Sequence, residues 1–412
     1  MTARAEMRIS KVPLTVWSLG IMTFFLNLSS IMIFSLSPLY LTQVFGLTAV
    51  YLGIFEGGIE FCSWMTRIFA GVFSDYLRKR KPVLLLACVL TVVARPIFAI
   101  ANHIGWIYAA KLLDRVANGF QATPREALVG DVSPSAIKGT CYGLRQSLGV
   151  VGSLLGALGL MYLMRLTNND YRSIFCVAGI LPVLALIVLV FFVKDAPAVE
   201  VKEEGEKKRG NYFLQFLEKI KQLDRRFWGI ICVAGIFMMS NYSGAYRILQ
   251  AESSGFPISD VSLIMIAQNL GAMIAAFPMG RLSDAIDRRI LLSFGFVITI
   301  VANLLLGFTN GVVGIIVGAA LWGMQMGVTQ SILSTMVAET VHRDLRGTAF
   351  GVYYFVIAFS LFFANTLMGS LSNFYGLTVG FMTSATIASC SLFLVFLLIS
   401  SSRKEKDLGV SQ

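Results

Sequence analysis

The sequence predicts an all-α polytopic membrane protein of twelve transmembrane helices arranged as two related six-helix bundles. Three observations predict it. The 412 residues are 56% hydrophobic and only 14% charged, where a soluble domain carries about a quarter charged residues. Such a chain cannot cover itself with polar surface and must turn most of its exterior to lipid. Apolar runs of roughly 20 residues recur along the length, each able to cross about 30 Å of hydrocarbon as a helix; the alternating strands of a membrane barrel are absent. Finally, the chain echoes itself. Gly71-Val-Phe-Ser-Asp75, followed by Arg78, Lys79 and Arg80, returns as Gly280-Arg-Leu-Ser-Asp284, followed by Asp287, Arg288 and Arg289. Gly139-Thr140-x-x-Gly143 returns as Gly347-Thr348-x-x-Gly351, 208 residues on, and Asp131 and Glu339 precede the two copies at that same offset. Several matches in one order at one spacing mark two parallel halves.

Taken in order, spans are expected near Leu14–Leu41, Tyr51–Phe73, Val83–Ala101, Trp106–Val129, Thr140–Met164 and Ile174–Val193. The first is relieved by Asn27, Ser29, Ser30 and Ser35. The second is the least lipid-like: Glu56, Glu60, Ser63 and Arg67 follow at spacings of four, three and four, which places them on one helical face. A carboxylate facing lipid costs several kcal/mol, so that face must look into protein or water. Gly149, Gly152, Gly156 and Gly159 give the fifth span a close-packing face. The pattern then breaks into a polar stretch, Lys194–Arg226, within which Asn211–Arg225 has the periodicity of an amphipathic helix lying on the membrane surface. Six more spans follow near Phe227–Ile248, Val261–Leu282, Ile290–Thr309, Val312–Val337, Phe350–Leu371 and Leu377–Ser400. The domains expected are therefore a first bundle over residues 1–193, a linker over 194–226, a second bundle over 227–402 and a tail over 403–412.

On this count both termini, the linker and the two charged turns share one side, which carries nearly all the loop Lys and Arg; the other keeps little beyond Arg165 and Arg172. That asymmetry places the charged side in the cytoplasm. It also accounts for the net charge of +11, because the basic residues lie between spans and not on one face suited to nucleic acid. The six cysteines sit in apolar runs without metal-ligand spacing and read as buried small hydrophobes. No cleavable signal is expected, since the first apolar run leads directly into the next span. There is no nucleotide loop, metal cluster or nucleophile with a His partner, so no enzyme, metal or cofactor is expected.

The charged turn resembles the loop after the second helix of the major facilitator superfamily of secondary transporters, whose pattern of Gly, three residues, Asp and basic residues repeats more weakly after the eighth helix. Gly71, Asp75, Gly280 and Asp284 match; Arg78 and Asp287 stand where that family usually has a second glycine. Arg115-Val-Ala-Asn-Gly119 resembles the family's Arg-x-x-x-Gly motif of the fourth helix, and Gly323 stands where a twin of Arg115 would fall. The resemblance implies the fold of that superfamily, transport by alternating access, and a cytoplasmic gate comprising Gly71, Asp75, Arg78, Gly280, Asp284 and Arg288. It also implies a proton-coupling role for Arg115. Exporters of the family often carry Gly-Pro on the fifth helix, where this chain has Gly156-Ala157.

Ionisable groups at membrane depth point to a site, and here basic ones outnumber acidic ones. Glu56 or Glu60 is expected to take a proton. Arg115, Arg145 and Arg247 are expected to position an anionic group, and Asn27, Tyr142, Gln146, Asn241, Gln268 and Gln325 to supply polar contacts. Arg67 and Arg95 read equally well as structural ion-pair partners. The function expected is proton-coupled uptake of a small anionic solute, of carboxylate or metal-chelate type, by a monomer in a bacterial inner membrane. Drug:proton antiport is the alternative, and a lipid flippase or non-transporting receptor would use the same scaffold differently.

Overall fold

The computed structural model describes residues 12–77, 80–134, 137–195, 218–309, 311–342 and 345–407; within these, the side chains of residues 70–77, 139, 276–281, 283–285, 331 and 398–407 are not described. Everything described is helix or short connection. The first half supplies α1 (Leu14–Leu39, continued by a π-helical turn, Tyr40–Val44), α2 (Ala49–Leu77), α3 (Lys81–Ile100), α4 (Ile104–Val132), α5 (Lys138–Leu166) and α6 (Tyr171–Phe192). The second supplies α7a (Arg225–Met238), α7b (Gly244–Ser253), α8 (Ser262–Ala285), α9 (Arg288–Phe308), α10 (Val312–Thr340), α11 (Arg346–Tyr375) and α12 (Leu377–Asp407). With the two pieces of α7 counted as one rod, twelve rods result.

Among the described residues, nine helices are long and apolar enough to span a bilayer. The exceptions follow from their sequences: α2 and α4 carry several ionised side chains each, and the seventh rod is cut. The exterior is apolar, with Ile100, Phe191, Val313, Phe374 and Phe393 among the exposed large side chains, as lipid requires.

The helices fall into two compact units. Unit 1 comprises residues 1–47, 58–201 and 255–266; unit 2 comprises residues 48–57, 202–254 and 267–412. The packing of one repeats that of the other. In unit 1, α1 packs on α5 and α6, and α3 on α4 and α6; in unit 2, α7a packs on α11 and α12, and α9 on α10 and α12. The 208-residue offset read from the sequence is thus an offset between equivalent helix crossings.

Close approach depends on the expected glycines. A Cβ on Gly152 would run into the Phe24 carbonyl, one on Gly156 into the Leu28 carbonyl, and one on Gly149 would meet Asn27 Nδ2 at 3.1 Å. This is how α5 lies tightly on α1. Gly159 faces open space, so the close-packing face ends before it. In unit 2 the tight crossing is α8 on α10, where Gly271 faces the Ala320 carbonyl and Gly323 the Gln268 carbonyl. No side chain could stand at Gly323, which is the structural reason Arg115 has no twin.

Helix starts are capped by side chains that satisfy otherwise orphaned N–H groups. Asp170 accepts from the N–H of Arg172 and Ser173 at α6, Asp224 from Arg225 at α7a, Ser243 from Ala245 at α7b and Asp287 from Arg289 at α9. The Ser173 hydroxyl, followed by the Arg172 and Ser173 N–H groups, holds the Asp170 carboxyl below the usual carboxylate range. At α3 the cap comes from far along the chain: Asp195 Oδ1 accepts from Arg80 N at 3.0 Å and Lys81 N at 2.8 Å.

Three expectations require correction or a boundary. The seventh span is not continuous: residues 239–243 interrupt it. Cys88 and Cys141 are buried, but Cys176, Cys232 and Cys390 are exposed on helix exteriors, because facing lipid suits a small apolar side chain as well as burial does. Of the proposed surface helix Asn211–Arg225, residues 211–217 lie outside the described residues, and 218–221 are helical.

Candidate functional site

The ionisable groups of unit 1 described below lie on α2, α3, α4 and α5. The innermost pair is Arg95 Nε–Asp114 Oδ1 at 2.9 Å, with side chains 3% and 4% exposed. Arg95 also donates to the Leu26 carbonyl at 3.1 Å and to Ser30 Oγ at 2.6 Å, so one guanidinium ties α1, α3 and α4 together. Lys111, likewise buried, donates to Ser37 Oγ at 3.1 Å. Arg95 is therefore a structural clamp, the role weighed for it in the sequence. Arg67 stacks over the Trp64 ring at 4.3 Å. Arg115 lies over the Phe34 ring, 3.9 Å from its centroid, a cation–π contact that shields the charge without neutralising it. Four residues along α4, Gly119 packs against Thr66 and Ser63 of α2.

Nearer the charged turn, Glu126 Oε1 receives Arg145 Nη2 at 2.9 Å and Arg125 Nη2 at 3.4 Å. Arg145 also reaches Gln146 Oε1 at 2.7 Å, and the Tyr142 hydroxyl donates to the Glu126 backbone carbonyl at 3.0 Å. Asn27 Nδ2 donates to the Gly149 carbonyl at 3.0 Å, serving the α1–α5 crossing. Glu60 is half-buried on α2. Of the residues expected in unit 1, the structure gathers Arg145, Gln146 and Tyr142 around Glu126, leaves Arg115 on its aromatic platform and puts Asn27 into packing.

Unit 2 is organised around the cut in the seventh rod. The chain leaves α7a at Met238, crosses Asn241-Tyr242-Ser243 and restarts as α7b with Ser243 as its cap. Asn365 of α11 accepts from the Ser243 N–H at 2.7 Å, and the Ser243 hydroxyl donates to Glu56 Oε2 at 3.0 Å. Glu56, 4% exposed, thus lies at the positive end of α7b, where a carboxylate is favoured. Gly53 and Gly57 let this stretch of α2 lie against α11, at Gly369 and at the Phe362 and Asn365 carbonyls. The Tyr246 hydroxyl, in reach of the Ala49 and Asn365 carbonyls, bridges the two helices.

One turn into α7b comes Arg247, 1% exposed. Its guanidinium carbon lies 3.5 Å from the Trp322 ring centroid and 5.6 Å from that of Tyr242. Nη2 donates to Gln268 Oε1 at 2.9 Å, while Nε and Nη1 have no hydrogen-bond partner. The buried Trp322 Nε1 also has none. Beside them Gln325 Nε2 donates to Asn241 Oδ1 at 3.0 Å, and the Tyr242 hydroxyl donates to Asn303 Oδ1 at 2.7 Å. Arg247, Gln268, Asn241 and Gln325 are therefore gathered in unit 2 as polar neighbours. Sequence reasoning missed Trp322, Ser243 and Asn365, which look like ordinary apolar-helix residues until the cut in the seventh rod brings Ser243 and Arg247 to them. A guanidinium buried with two of its nitrogens lacking hydrogen-bond partners is costly to maintain, and an anion is the group that would offset its charge.

At the charged turns, Arg288 pairs with Glu339 and Arg80 Nε with Asp131 Oδ2 at 3.6 Å, again 208 residues apart. Gly71, Asp75, Gly280 and Asp284 lie on described helix backbone but their side chains do not belong to the described set; Arg78 lies outside the described residues.

The chain matches the family model of the Major Facilitator Superfamily over residues 19–257 and 231–412. An uncharacterized MFS-type transporter of Methanocaldococcus jannaschii is 26% identical over 365 residues, covering 86% of this chain and 88% of that one. The cis,cis-muconate transport protein of Acinetobacter baylyi is 22% identical over 294 residues, 69% of each chain. The quinolone resistance protein NorA of Staphylococcus aureus is 22% identical over 281 residues, 66% of this chain and 68% of its own. Among solved structures, the nucleoside transporter NupG superposes with a TM-score of 0.72 at 11% identity, over 93% of this chain and 99% of that one; at that identity the likeness speaks for the fold alone.

Proposed function

The chain belongs to the Major Facilitator Superfamily of membrane transporters, and we propose that it takes up a small organic anion together with protons. The observation that carries this reading is Arg247: a buried cation on an aromatic platform, with Gln268 beside it and Nε and Nη1 lacking hydrogen-bond partners. The excess of arginine over carboxylate around Glu126 supports the same sign of cargo, and the muconate transporter among the relatives handles a dicarboxylate. Uptake of an anion against a negative-inside potential requires a compensating positive charge, and a proton on a buried carboxylate supplies it. Glu56 and Glu60 are the carboxylates the sequence singles out for that proton. Transport proceeds by alternating access, with the charged turns and both termini facing the cytoplasm of a bacterial cell and the protein working as a monomer. Efflux, the other direction, draws support from the likeness to NorA.

Proteoliposomes separate these readings. With the exterior more acidic than the lumen, labelled cis,cis-muconate and a panel of simpler carboxylates should accumulate. Arg247→Ala should lose the gain, roughly tenfold or more, since hydrogen bonds to a charged group contribute about 1.5–3 kcal/mol each. Accumulation indifferent to the pH gradient, or movement of cationic drugs alone, would sink the proposal.

A further inference from the structure

We propose that unit 1 holds an anion site of its own, built from Arg125 and Arg145 with Arg67 alongside, which Glu126 fills with its own carboxylate until a proton neutralises it. It rests on the anionic-cargo reading and moves the proton from α2 to Glu126.

One carboxylate oxygen, Glu126 Oε1, serves both arginines, Arg145 at 2.9 Å and Arg125 at 3.4 Å. Arg145 is 7% exposed, and the Nε atoms of both arginines are buried without a partner. Arg67 and Arg145 are each near enough to repel the Arg125 charge. Two guanidiniums therefore share one carboxylate oxygen, with the Arg67 charge close to Arg125. The other charged groups nearby do not redress this: Asp131, further along α4, is paired with Arg80, Lys138 on α5 adds positive charge close to Gly130, and the Tyr142 hydroxyl is spent on a backbone carbonyl.

Unit 2 shows that the fold does not need these charges. At the 208-residue offset, Arg67, Arg125, Glu126 and Arg145 correspond to Ala275, Leu333, Ser334 and Tyr353, and the equivalent crossing closes with Tyr353 meeting Ser334. A neutral pair suffices for packing, so the ionic group in unit 1 answers to something else. The Glu126 side chain is 40% exposed, which lets water and protons reach it. A solute carboxylate has the same chemistry as the Glu126 carboxylate and competes with it for the same donors. When a proton adds to Glu126, both ion pairs are lost and the arginines are left for an incoming anion. Proton and anion then bind with positive coupling, and each tightens the other.

The test uses the full-length protein in lipid nanodiscs, titrated from mildly alkaline to mildly acidic pH and followed by infrared difference spectroscopy of carboxyl groups. A protonated-carboxyl band should grow in wild type, Glu56→Gln and Glu60→Gln and be missing in Glu126→Gln. Sulfate and cis,cis-muconate should shift its midpoint to higher pH in wild type and not in Arg145→Ala. The double variant Glu126→Ser/Arg145→Tyr copies the unit 2 pair, guards against a folding defect, and should lack both band and shift. A band persisting in Glu126→Gln, no band in wild type, or a Glu126 titration that ignores both anions overturns the proposal, even in a protein that accumulates carboxylates. An anion-shifted titration in a protein that accumulates none keeps the site and defeats the uptake reading instead.

Discussion

The two units solve the same packing problem with different chemistry, and where they differ is informative. At the charged turns they agree, each pairing an arginine with an acid: Arg80 with Asp131, Arg288 with Glu339. Deeper in the helices they part. The positions of Arg95 and Asp114, an ion pair in unit 1, are taken in unit 2 by Asn303, which bonds Tyr242, and by Trp322, which supports Arg247. Phe34 under Arg115 corresponds to Tyr242 near Arg247. Each helix crossing needs a clamp and a small residue, and it tolerates either an ionic or a neutral clamp. Duplication conserved the crossings; the groups available to cargo diverged around them.

The comparison can be broken most forcefully at the ionic clamp. Arg95→Ala should cost about 3–5 kcal/mol, because it strands the Asp114 charge in the helix interior. Arg95→Asn with Asp114→Asn, a neutral clamp as in unit 2, should recover most of that in thermal unfolding. Equal losses in the single and double variants would show that the crossing does depend on charge. A smaller effect is expected at the glycines. Gly323→Ala should cost about 1–3 kcal/mol, as overpacking does, and more than Gly119→Ala, because the new methyl faces the Gln268 backbone rather than chiefly the Thr66 side chain. The smallest effect belongs where the units agree: Arg80→Ala and Arg288→Ala should each move stability by about 0–1 kcal/mol, as solvent-reached ion pairs do. A large or unequal pair of shifts would mean the two turns are not equivalent.

Much of this architecture was legible because lipid imposes simple rules. Length and apolarity account for nine of the rods among the described residues, and the repeat of Gly139-Thr140 at Gly347-Thr348 announced the duplication before any packing was known. The α1–α5 face could be read as far as Gly156, since small residues at helical spacing have one common use. Other features resisted for physical reasons. The cut in the seventh rod is marked only by the short polar run Ser240-Asn241-Tyr242-Ser243-Gly244, and polar positions such as Asn27, Ser29 and Ser30 stand inside α1 without breaking it. Trp322 looks like any apolar residue until a cation rests on it. Glu126 follows Arg125 directly in the chain, but its other arginine partner, Arg145, is on another helix, a meeting that spacing alone does not reveal. Asp195 caps α3 from beyond α6, and no local pattern joins those stretches.

The interrupted seventh rod has a mechanical meaning. A continuous helix transmits a push along its axis as a stiff column, whereas α7b is a ten-residue lever pinned at its root by Asn365 and by Glu56 through Ser243. Arg247, one turn away, takes its position from that root, from the Tyr246 bridge beside it, and from Gln268 and Trp322.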